Sequence, residues 1–212
     1  VPARYMQLQL NYTKQFKKHN ISAVLGYEAS DYDWSKKTYG TEPSTDYLPL
    51  LQFDELNSFG DEWSYEARAG WIGRINYNFA HKYLIEILAR YDGSYLYAPS
   101  KRWGFFPGVS AGWNMHRENF FKPLESIMSR WKWRASWGRT GNNNLSVANS
   151  RGEYKITDTN YQGSVGILNT TLKNSQLRWE TTESYDIGVD LGFFNNRLGL
   201  LIDYYNKLTF DR

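Results

Sequence analysis

From Trp63 to Phe79 the chain alternates without a break. Trp63, Tyr65, Ala67, Ala69, Trp71, Gly73, Ile75, Tyr77 and Phe79 fall on one parity, and Ser64, Glu66, Arg68, Gly70, Ile72, Arg74, Asn76 and Asn78 on the other. A period of two is the signature of an extended strand whose faces meet different surroundings. At about 3.3 Å per residue the run reaches roughly 50 Å, against about 17–20 Å for an ordinary globular strand. A strand crossing a bilayer at a tilt of about 45° needs that length. Rings at both ends of the row, Trp63 and Tyr65 at one and Tyr77 and Phe79 at the other, sit where interfacial girdles belong.

The same plan recurs along the chain. Alternating segments are read at Arg4 to Thr13, Ile21 to Ala29, Tyr83 to Asp92, Pro107 to Met115, Trp131 to Arg139, Tyr185 to Phe193 and Leu198 to Lys207. Short turns are expected at Lys17 to Asn20, Ala80 to Lys82 and Asn195-Asn196. Long polar loops are expected from about Asp31 to Glu62 and from about Thr140 to Arg178, and a short helical turn within Asn119 to Met128. Short and long connections therefore alternate, as in an outer-membrane barrel with short periplasmic turns. The fold class is all-β, an antiparallel transmembrane β-barrel of which this chain supplies about eight consecutive strands. A self-closed eight-strand barrel with a structural or adhesion role, and a soluble all-β binding domain, share the alternation and stay open at this point.

Composition agrees with strands: 17% of residues are aromatic, with 17 Tyr and 9 Trp, and such rings suit interfaces where one end is wet. Mean hydropathy is −0.65, and no run approaches the roughly 20 apolar residues of a spanning helix. That excludes helical spans and leaves barrels untouched, because an alternating wall averages to neutral. A net charge of +3 is too small to imply a nucleic-acid partner. The absence of Cys removes thiolate sites and Cys nucleophiles. The chain starts at Val1 without a charged and apolar leader, so it is expected to be a piece of a longer protein.

Few residues suggest chemistry. Arg130 to Arg139 interleaves bases with Trp, but the period sends Trp131, Trp133 and Trp137 to one face and Lys132 and Arg134 to the other, which spoils a nucleic-acid groove. Asp92-Gly-Ser94 reads as a turn. His19, His81 and His116 lack metal-ligand spacing, and no motif argues for an enzyme or a cofactor. The polar parity carries the informative set: Glu66, Arg68, Arg74, Glu86, Arg90 and Asp92 are expected to face a wet or plug-filled lumen, as structural ion pairs or as solute contacts.

Three passages carry a resemblance. They are Asp92-Gly-Ser followed by Arg102-Trp-Gly-Phe-Phe-Pro-Gly-Val-Ser-Ala-Gly-Trp113; Trp133-Arg-Ala-Ser-Trp-Gly-Arg-Thr-Gly-Asn142; and Leu177-Arg-Trp-Glu-Thr-Thr with Tyr185-Asp-Ile-Gly-Val-Asp-Leu-Gly-Phe-Phe-Asn-Asn-Arg197 and Asp203-Tyr-Tyr-Asn-Lys207. In order and spacing they resemble the SusC/RagA type of TonB-dependent outer-membrane transporter. The resemblance implies a barrel of roughly 22 strands around an N-terminal plug, importing oligosaccharide or oligopeptide fragments. It also implies a SusD-like surface lipoprotein and the TonB complex as partners. The plug and TonB box have no counterpart in residues 1–212, which are expected to form a fragment of the barrel domain. Substrate contacts would then lie in the loops and upper lumen, where Tyr95, Tyr97 and Trp103 are candidates that equally suit interfacial rings. Pro107 should mark a bulge or bend. Trp71, Ile75, Ile87, Val109, Ile187 and Leu200 should face outer-membrane lipid, and Arg replacing Gly70 or Ser110 should be tolerated.

Overall fold

The structure, a computed structural model, describes residues 3–41, 56–143, 152–161 and 164–211. Its strands are β1 Ala3–Phe16, β2 His19–Thr41, β3 Leu56–Phe79, β4 Tyr83–Ser94, β5 Trp103–Asn114, β6 Met128–Asn142, β7 Glu153–Tyr161, β8 Ser164–Thr171, β9 Glu180–Phe193 and β10 Leu198–Phe210. Eight of them form one antiparallel sheet in the order β1-β2-β3-β4-β5-β6-β9-β10, while β7 and β8 pair with each other. The sheet is open, with β1 and β10 as its edges. Self-closure into an eight-strand barrel is therefore not what this chain does.

Period two decides the faces. One row crosses the sheet through the register pairs Ala23↔Ile75, Ile75↔Ile87, Ile87↔Val109, Val109↔Trp137 and Trp137↔Tyr185. The six side chains expected to face lipid lie on this parity and are 43% to 56% exposed. Among the described residues no second sheet covers that face. An uncovered face of Ile, Val, Leu and Trp on the inner strands of a wide sheet is unstable in water and at home in hydrocarbon.

Two expected loops are largely strand. β2 and β3 contain 23 and 24 residues, so the ordered pair runs from the short turn at Lys17-Lys18 to Thr41 and Leu56; residues 42–55 lie outside those described. Beyond Tyr32 and Glu66 these two strands pair only with each other. Outside Trp63 and Tyr65 this ribbon carries no sustained apolar row, which is why its sequence reads as loop. Likewise β7 and β8 form a hairpin, with Ile156 opposite Ile167, inside the second expected loop. Its Thr, Tyr, Ile and Val favour extended backbone without a burial pattern to announce it. Asp92-Gly93-Ser94 is the end of β4 rather than a turn, and Gly93 lies under the Trp103 ring, which a Cβ would meet at 2.9 Å.

The short turns share one end of the sheet. Backbone there passes through the left-handed region at Ala80, His81, Phe194, Asn195 and Asn196, a conformation that Asn tolerates better than the others. The longer β5–β6 connection contains two 3-10 turns, Met115–Arg117 and Asn119–Leu124. Glu118 between them fixes the segment, accepting Lys82 Nζ at 2.7 Å, Tyr83 Oη at 2.7 Å and Trp113 Nε1 at 3.3 Å. These donors, the Lys82 ammonium first, hold its carboxyl below the usual glutamate range. A depressed folded pKa means the contribution is complete above the ordinary carboxylate value and is lost as pH falls through the depressed one. Protection factors of the amides across residues 115–124 should therefore hold at neutral pH and fall as the Glu118 carboxylate is protonated in acid. Glu118→Gln should lower them already at neutral pH, and protection unchanged by that substitution would count against this.

Pro107 has a larger effect than a bulge. The β4–β5 ladder runs through Ala89↔Pro107 to Gly93↔Trp103, whereas β5 and β6 pair only from Gly108↔Gly138 to Asn114↔Lys132. Above that point the two strands part. Pro cannot donate to a ladder, and the missing donor coincides with the place where the β6 side is released.

The polar face as candidate functional site

The parity opposite the exposed apolar row carries the charges. Arg90 on β4 donates to Asp92 at 3.1 Å and reaches over β3 to Glu28 on β2 at 2.8 Å. The register explains the reach, since Glu28, Gly70 and Asp92 are successive cross-strand partners and Gly70 between them has no side chain. A Cβ there would meet Asp92 Oδ1, so a side chain at Gly70 requires the Asp92 carboxylate to shift from its present position. Glu66 and Arg68 pair at 3.4 Å and Arg74 and Glu86 at 4.0 Å. Glu66, Arg68, Arg74, Glu86, Arg90 and Asp92 share the parity opposite the apolar row. Arg90 and Asp92 share one cluster with Glu28, while the other four form two exposed pairs of the kind that contribute little stability.

A second cluster was not singled out from the sequence. Arg134 on β6 donates to Asp190 at 3.0 Å and Asp186 at 3.5 Å, both on β9, and pairs with Asp203 on β10. Arg130 adds a contact to Asp190 at 3.2 Å. Again a glycine permits the span: Gly188 lies opposite both Arg134 and Asp203, and a Cβ would strike both side chains. The acidic spacing Asp186, Asp190 on the polar parity was visible. Its cation was not, because β6 and β9 are neighbours only across the long β6–β9 connection.

The expected loop residues separate. Tyr97 is 2% exposed, packed at 5.3 Å from Trp179, with its hydroxyl donating to the Asn142 carbonyl at 3.4 Å. Burial pushes that hydroxyl up to about 12, so it stays neutral at any ordinary pH. Trp179 in turn touches Phe106 at 5.5 Å and donates Nε1 to the Arg102 carbonyl at 2.9 Å. With Leu96 these rings fill the gap where β5 and β6 part. Tyr95 meets Tyr65 edge-on at 5.0 Å, with the Arg102 guanidinium 5.9 Å from its ring. Trp103 belongs to the apolar parity, exposed and stacked on Tyr91 at 4.9 Å.

Beside this cluster the polar face holds a recess of about 360 Å³ lined by Glu28, Arg68, Arg90, Asp92, Asn143 and Trp179. Gly141 forms part of its wall and abuts Phe106, where a Cβ would lie 2.0 Å from the ring. Gly141→Val should displace Phe106 and Trp179 at a cost of about 1–3 kcal/mol, read as faster protease cleavage within residues 95–102; unchanged cleavage would contradict the packing. The histidines are engaged locally: His19 with the Tyr77 hydroxyl, His81 with Asn78 and His116 with the Trp131 carbonyl. Among the described residues no group of His and carboxylates is arranged for a metal.

The model for "TonB dependent receptor-like, beta-barrel" matches residues 3–212. The chain belongs to this family. TonB-dependent receptor P3 of Formosa agariphila is 40% identical over 95% of the chain, which spans 21% of that relative. TonB-dependent receptor SusC of Bacteroides thetaiotaomicron is 34% identical over 96%, again 21% of the relative. The chain thus spans about a fifth of the length of the curated relatives it matches. Among solved structures, that of the RagAB peptide transporter superposes with a TM-score of 0.83 at 23% identity, covering 98% of this chain and 23% of the other. That superposition establishes the barrel-wall fold. Receptors of this family are outer-membrane barrels and not enzymes, and the exposed apolar row is the lipid-facing surface of such a barrel.

Proposed function

We propose that this chain is part of the wall of an active importer, its polar face lining the aqueous interior of the complete barrel. The carrying observation is the opposition, on one continuous sheet, of an uncovered apolar row and a face of paired charges. In this reading Glu66, Arg68, Arg74, Glu86, Arg90 and Asp92 line the lumen, and Tyr95 stands at its loop end. Tyr97 holds the loop against the wall, and Trp103 serves as an interfacial ring. The solute class is oligosaccharide or oligopeptide, the partners are a SusD-like lipoprotein and the TonB complex, and TonB relays the energy. The relatives support this: one bears the name SusC and another is described as a peptide transporter.

The test follows uptake of labelled oligosaccharides and oligopeptides by cells carrying the intact protein, with and without TonB. Uptake should vanish without TonB. Arg68→Ala, which disturbs only an exposed pair, should change the preference for charged solutes while leaving barrel assembly intact. TonB-independent uptake at the parental rate would sink the reading.

A further inference from the structure

We infer that the β5–β6 connection is a membrane-surface anchor that seats in the phospholipid head-group layer at the short-turn rim of the barrel. Its position comes first. Glu118 is held by Tyr83 and Trp113, cross-strand partners on the lipid-facing parity. Phe121, fully buried, packs edge-on against Trp131 at 6.0 Å, and Trp131 lies opposite Leu191 on the same parity. The connection therefore folds back along the outer surface instead of projecting away from it.

What it presents outward is amphipathic. Phe120 is 61% exposed, Leu124 48% and Ile127 56%, beside the exposed cations Arg117 and Lys122. The patch continues into the neighbouring turn, where Phe194 N–H donates to the Ile127 carbonyl at 2.9 Å and the Phe194 ring is exposed. The segment is flanked by the β3–β4 turn on one side and the β9–β10 turn on the other, so its neighbours along the rim are already in place. An exposed apolar patch continuous with a lipid-facing surface, rimmed by cations that suit phosphate, fits phospholipid. It is a poor match for a water-exposed loop, because no aqueous contact compensates three large apolar side chains on one short connection.

The proposal rests on the lipid-facing parity, which an internal reference checks separately. In the intact protein reconstituted into phosphatidylethanolamine and phosphatidylglycerol bilayers, single nitroxide labels are placed by Phe120→Cys, Leu124→Cys, Val109→Cys and Lys17→Cys, the last in the exposed β1–β2 turn away from the patch. Collision rates with oxygen and with a water-soluble nickel chelate give the depth of each. Val109 should report the hydrocarbon interior and Lys17 water. Labels at 120 and 124 should show an oxygen-to-nickel ratio several-fold above that at 17 and below that at 109. A water-like ratio at 120 and 124 overturns the anchor while leaving the wall intact, and shielding of both from both reagents overturns it in favour of a protein cover. A water-like ratio at 109 removes the parity on which the anchor depends.

Discussion

Placing Arg at Ile87 should destabilise the barrel by about 2–4 kcal/mol in a lipid-folding titration, whereas Arg at neighbouring Ser110 should leave stability nearly unchanged. Ile87 lies midway along its row between Tyr83 and Tyr91, four residues from each. At about 3.3 Å per residue that is roughly 13 Å along the strand in either direction, too far for a guanidinium on this side to reach the interface comfortably. Ser110 is on the opposite parity, directly across from Glu86, so an Arg there gains water and a carboxylate. The comparison controls for the bulk of Arg and for disturbance of the β4–β5 ladder. Equal losses at both sites would overturn the face assignment, and with it the identification of the outer surface.

The second large effect concerns Arg134. Replacing it with Gln leaves Asp186, Asp190 and Asp203 around a neutral amide, with Asp190 only 7% exposed and its remaining cation, Arg130, at 3.2 Å. Removing one partner of a buried ion pair costs more than the pair contributes, because the remaining charge is stranded. Since Arg134 itself is 32% exposed on its side chain, the loss should be about 2–3 kcal/mol, below the fully buried case. Adding Asp190→Asn should recover part of it, a non-additivity that a double-mutant cycle measures. Simple additivity of the two losses would show that the cluster is not coupled.

Much of this was legible in the alternation. The strands of the large sheet, the parity of the lipid row and the face carrying Glu66, Arg68, Arg74, Glu86, Arg90 and Asp92 all follow from a period of two, because every strand there separates hydrocarbon from water. Where no apolar row is sustained along the sequence the signal disappears, so the outer parts of β2 and β3 and the β7–β8 hairpin read as loop. Pairing across distance was equally hidden. Nothing in the sequence brings Arg134 to Asp203, and Gly188 announces only a missing side chain until its two neighbours are known. Gly70 hid its neighbour for the same reason: parity gave its face, but not the Asp92 carboxylate that lies against it. Tyr97 shows the limit for loops, since a ring expected at a solute surface is instead buried where two strands part.

That parting has a mechanical consequence. Main-chain ladders hold adjacent strands by a regular series of directional bonds, whereas ring contacts such as Trp179 on Phe106 can slide and re-form. Over Trp103 to Pro107 the wall exchanges the first kind of fastening for the second on its β6 side. Shear between the two halves of the sheet is therefore resisted stiffly below Gly108 and softly above it. Loop-end displacements should therefore be taken up at this seam, and the β6-side amides of Trp103 to Phe106 should exchange faster than those from Gly108 to Asn114.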